Sequence, residues 1–148
     1  MPAGFLERAT IIEECYEFML AYAAQGLPSD EGSRAGPEVR NSLRRSVEAL
    51  IGLSESFAAS VEQAGLQPAE KYQAFAMVLD RDARDSVAAI ELVLAQPSIS
   101  SQLVDNLNAS LHLRALLTDQ FLLGEILRKR VTESDNREAP DEAGMDRN

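Results

Sequence analysis

Cysteine, histidine and tryptophan are nearly missing from this chain of 148 residues, which holds one, one and none of them. A single cysteine, Cys15, excludes an intrachain disulfide framework and any multi-cysteine metal centre. A single histidine, His112, excludes a His-rich centre. It also lacks a glutamate three residues before it, where Ala109 stands, so a ferritin-like di-iron motif is absent. No apolar run approaches the ~18 residues of a membrane span. Met1 to Gly4 carry no basic n-region, so no signal peptide is expected. The lone thiol fits a reducing compartment, and a cytoplasmic location is expected. Basic charge is scarce: 14 Lys and Arg stand against 24 Asp and Glu, a net charge of −10. Such a chain repels phosphates, so no nucleic-acid partner is expected. Alternating apolar patterns are missing too, which removes the main β signal.

Helical periodicity is what the sequence does contain. Glycine and proline divide it into four long segments near 4–25, 37–64, 68–95 and 99–131. Gly26 and Pro28 stop the first, and Pro37 is placed to open the second. Between them, residues 26–36 (GLPSDEGSRAG) have the composition of a mobile connector. In the second segment Leu43, Val47, Leu50, Ser54, Phe57, Val61 and Ala64 step by four and three, a heptad seam with Gly52 inside it. The fold class expected is all-α: an antiparallel bundle of about four long helices over residues 1–132. Residues 133–148 carry six acids, two bases and almost no aliphatic side chain, and read as a disordered acidic tail. Two basic groups have ordinary explanations. Arg40, Arg44 and Arg45 suit a solvated helix face. Arg128, Lys129 and Arg130 suit the last turn of a helix, where cations complement the macrodipole.

The first and last segments are apolar on more than one stripe. A bundle core needs one stripe from each helix, so the surplus predicts a homodimer meeting through Phe18, Tyr22, Leu113, Leu116 and Leu123. The function this favours is a non-enzymatic helical oligomerisation or protein-interaction module, in the manner of an adaptor or accessory protein, without a cofactor. No catalytic residue stands out.

Two motifs suggest other chemistry. Glu13, Glu14 and Glu17 form E-E-x-x-E, with acids three and four residues apart on one side of a helix, a spacing that can hold Mg²⁺. The pattern is similar to one half of the signature of the MazG-like, all-α nucleoside triphosphate pyrophosphohydrolases. The resemblance implies a Mg²⁺-dependent hydrolase with Glu13, Glu14 and Glu17 as ligands. The family's second half, E-x-x-D, is absent from the four helical segments, where Asp82 and Asp85 are its nearest substitute. Asp85-Ser86-Val87 resembles the modified stretch of acyl carrier proteins, which implies phosphopantetheine on Ser86, although the helical phase puts Ser86 mid-helix. A third reading is a small-molecule sensor whose pocket uses Tyr16, Phe18 and Tyr22.

Overall fold

The computed structural model describes the backbone of residues 4–145 and the side chains of residues 4–130. Six helices follow one another, with no strand among the described residues: α1 Phe5–Ala24, α2 Gly36–Leu50, α3 Leu53–Ala64, α4 Ala69–Leu94, α5 Ser101–Ala109 and α6 Leu111–Met145. The all-helical expectation stands, while two of the four long segments are each divided. The tail expected over 133–148 falls on side chains outside the described residues, and 146–148 lie outside them altogether.

The first division is at Gly52, whose φ of +89° is left-handed. A helix cannot continue through that conformation, and only glycine adopts it without strain. The Arg8 guanidinium fills the corner. Its Nη1 donates to the carbonyls of Glu48, Ala49 and Ile51 at 3.1, 3.3 and 2.8 Å. These are orphan acceptors at the end of α2, where a cation is favoured. The second division is at Ser110, extended at φ −63° and ψ 145°. Gly124 leaves α6 unbroken. Ser100 caps α5 by accepting from the Leu103 amide at 3.0 Å. Because α6 runs to Met145, the Arg128-Lys129-Arg130 group lies within the helix and not in its last turn.

Helix α1 lies against α2 and α5 and touches α3 and α6, while α4 packs against α2, α3 and α6. This explains the wide apolar arcs. A helix surrounded by neighbours buries several stripes inside its own chain. Phe5, Ile12, Met19 and Tyr22 of α1 are fully buried, and Phe5 meets Phe57 of α3 edge to face at 5.5 Å. The expected interface residues are therefore corrected: Tyr22, Leu113, Leu116 and Leu123 belong to the core of the single chain and are not available to a second copy. Phe18 is half-buried and packs against the same core.

Residues 26–35 are not a loose connector but part of a clasp. Arg40 Nε donates to Asp30 Oδ2 at 2.7 Å, and its two Nη atoms reach the carbonyls of Leu94, Gln96 and Pro97. Asp30 Oδ1 accepts from the Ile99 amide at 2.7 Å. The Arg40 hydrogen bond, assisted by that amide, holds the Asp30 carboxyl below the usual aspartate range despite burial. Beside it, Tyr22 Oη donates to Ile99 O at 2.7 Å, and Ser101 Oγ donates to Tyr22 O at 2.6 Å. Leu27 and Ser101 exchange further bonds, its amide donating to Ser101 Oγ and its carbonyl accepting from the Ser101 amide. The expectation that Arg40 lies on a solvated face is thus overturned. Tyr22→Phe should leave the buried Ile99 carbonyl unpaired and cost about 1–2 kcal/mol, read as a lower urea midpoint at unchanged slope.

Candidate functional site

The contact between α4 and α6 combines exposed apolar side chains with a buried acid. Its register is set by Ser86, buried on α4, whose Oγ donates to the carbonyl of His112 on α6 at 3.0 Å. That contact is structural: it occupies the hydroxyl that the carrier-protein resemblance would need exposed. One turn toward the start of α4, the carboxyl of Asp82 faces that of Asp119 on α6. The two helices are therefore antiparallel here, and residues whose numbers sum to roughly 200 lie opposite one another.

Asp119 is 7% exposed, and its Oδ2 has no hydrogen-bond partner. Burial, then a hydrogen bond and repulsion from Asp82, push its carboxyl up to about 7. Below that pH the Asp119 carboxyl keeps its proton, the form that burial beside a second carboxyl favours. Neither acid was legible as half of a pair. Asp82 appears in the sequence as a metal candidate beside Asp85, and Asp119 carries no local motif at all. The one available signal was phase: Asp119 lies among Leu116, Leu123 and Leu127 on the buried arc of α6.

Around the pair runs an apolar row. Phe75, Val78, Ala89 and Leu92 of α4 recur at steps of three or multiples of a turn, and Leu111, Ala115, Leu122 and Ile126 of α6 do the same. Four of these are open to solvent: Leu111 by 79%, Leu92 by 67%, Leu122 by 50% and Val78 by 42%. The register sets Val78 opposite Leu122 on one side of the acids and Ala89 opposite Leu111 on the other, with Asp85 opposite Ala115 between them and Leu92 one turn beyond. No local signal distinguishes such residues from core. The periodicity of α4 and α6 is the same whether a stripe faces its own chain or stays open.

The other candidates are dispersed. Glu13 is half-buried, while Glu14 and Glu17 are exposed on α1. Among the described residues, no three His, Cys, Asp or Glu side chains are placed to hold a metal ion, so Glu13, Glu14 and Glu17 do not come together with Asp82 and Asp85. Three open clefts, of about 530, 520 and 340 Å³, are lined by α2, α3, α4 and the turns between them. All three lie away from Tyr16, Phe18 and Tyr22. Cys15 is buried. No helix among the described residues is long and apolar enough to cross a membrane.

Comparison with known proteins isolates the chain. No family model, no curated protein and no solved structure matches it.

Proposed function

We propose that this chain is a non-enzymatic helical protein-interaction module whose contact surface is the outer seam between α4 and α6. The observation that carries this reading is the row of Val78, Leu92, Leu111 and Leu122, large apolar side chains left between two-fifths and four-fifths exposed along one antiparallel helix pair. Scattered surface leucines need no explanation, but an aligned set on adjoining helices has the form of a docking face. Its helices are rigid and packed on the core behind, so the face is preformed and little order is lost when it is covered.

Photo-crosslinking tests it. A photoreactive residue at position 78 or 122, in the cell of origin, should yield a discrete protein adduct. The same residue at position 62, on the exposed side of α3, should yield none. Equal labelling from all three positions, or none from any, would remove the reading. Val78→Asp combined with Leu122→Asp should abolish the adduct formed from position 92. Being surface changes, the two should alter stability by no more than about 1 kcal/mol, checked by thermal melting.

A further inference from the structure

We infer that α6 is a hinged arm that pivots at Ser110, and that ionisation of Asp119 loosens its hold on α4. The hinge stands on its own observations, and only its consequence for the seam rests on the reading of the seam as a contact surface.

The pivot is seen in the backbone and in the hydrogen bonds. Ser110 is extended, at φ −63° and ψ 145°, so α5 and α6 are separate helices. The chain before it is tied together. The clasp joins α1, the connector, α2, the end of α4 and the start of α5 through Tyr22, Asp30, Arg40 and Ser101. The first turn of α6 is held as well, by Ser86 Oγ donating to the His112 carbonyl at 3.0 Å. That bond lies beside the pivot, where it fixes the near end of α6 and does little to stop the far end from swinging.

Two turns beyond the pivot, polar groups are buried without partners. Asp119 Oδ2 and both amide atoms of Gln120 have none, and the two residues are 7% and 1% exposed. Asn108, just before the pivot, is in the same state. Leu116, Leu123 and Leu127 are buried alongside and hold the arm down. The unpartnered atoms oppose that hold, because swinging outward returns them to water.

Asp119 makes the balance depend on charge. Of the helices packed against α6, α4 faces it with Asp82, and the exposed Asp85 stands one turn along. From α1 and α5 no charged group acts on it among the described residues. On α6 itself its neighbours one turn away are Ala115, Leu116, Leu122 and Leu123. No cation therefore compensates the charge that forms when the proton leaves. The closed arm must then hold a buried carboxylate against a second one, while in the open arm the same group is hydrated. Its proton is held to about 7 in the closed arm and lost near 3.8 once freed. Between those values ionisation favours the open form, and the opening constant should rise on the order of a hundredfold from pH 5 to pH 8.

For the seam this is a built-in release. Val78 comes from α4 and Leu122 from α6, so opening parts them. A partner that covers both favours closure, and opening weakens that partner by linkage.

Hydrogen exchange on the full native chain, read by mass spectrometry with intrinsic rates divided out, tests the arm. At pH 8 the amides of residues 116–127 should be at least tenfold less protected than those of residues 9–19 in α1. Their protection should rise at least tenfold on going to pH 5. In Asp119→Asn, with folding verified by circular dichroism, that rise should vanish. Equal protection of the two stretches at every pH would mean that the chain opens only as a whole, and overturns the inference. So does a pH response that survives Asp119→Asn. Should that variant not fold, Asp82→Asn takes its place. It should shrink the response, and an undiminished one overturns the inference. The measurement needs no partner. Its failure leaves the contact-surface reading to the crosslinking test, and failure of the crosslinking test leaves the hinge standing.

Discussion

Arg40→Ala should lower the unfolding free energy by about 3–5 kcal/mol, the largest loss expected from any single polar substitution here. The guanidinium joins three parts of the chain at once. It pairs with Asp30 in the connector after α1, it projects from α2, and it meets carbonyls at and beyond the end of α4. Truncation leaves Asp30, itself only 9% exposed, with its Ile99 amide but no cation. It also strips the carbonyls of Leu94 and Gln96 of a donor. Lysine should restore only part of the loss, because one ammonium cannot reach acceptors spread around a planar fork. Asp30→Asn should cost less than Arg40→Ala, since the arginine keeps its carbonyl partners. Chemical denaturation of the three variants checks the order, and equal losses for Arg40→Ala and Arg40→Lys would show that charge and fork geometry both count for little.

Asp119→Asn should raise stability at pH 8 and leave it nearly unchanged at pH 4. An unfolded aspartate ionises near 3.8, whereas the folded chain holds the Asp119 proton to about 7. Between these values the native state binds more protons than the unfolded state, so stability falls as pH rises from 4 to 7 and is level beyond. At ~1.4 kcal/mol per pH unit, the total is on the order of 2–4 kcal/mol. Asparagine cannot ionise and can donate to Asp82, so the difference between variant and native chain isolates this group. Asp30 acts in the opposite sense and in a lower window. Its carboxyl is held below the usual range, so its stabilisation is complete above about 4 and is lost as the solution becomes more acid. Of these two groups, Asp30 makes stability rise with pH in the acid range and Asp119 makes it fall between about 4 and 7. Melting temperatures measured from pH 4 to 8 on both chains test this. Parallel curves would mean that Asp119 is ionised throughout and its burial relieved.

Much of the fold was legible because its signals are local. Proline and glycine act on the dihedrals of their own residues, so Gly26, Pro37, Gly65 and Pro97 mark real boundaries whatever surrounds them. The break at Gly52 left a trace as well, since a glycine within a heptad weakens a helix. The break at Ser110 left none: serine is compatible with helix, and only packing chose an extended conformation there. The candidate site was scarcely legible. Glu13, Glu14 and Glu17 drew attention because they are close in sequence, while Asp82 and Asp119 come from helices separated by a third.

The sequence by itself determined that the chain is helical, where most of its helices stop, and which residues are apolar enough to be buried. Those properties follow from backbone sterics and from the 3.6-residue period, and both operate within a few residues. The tertiary structure alone decided which apolar stripe faces which neighbour. By packing α1 and α6 against several neighbours it turned Tyr22, Leu113, Leu116 and Leu123 from an expected interface into core, and it left Val78, Leu92, Leu111 and Leu122 outside. It also brought Arg40 to Asp30 and Asp82 to Asp119. Charge pairing depends on distance in space, and a chain without its neighbours in view carries no record of which helices will meet.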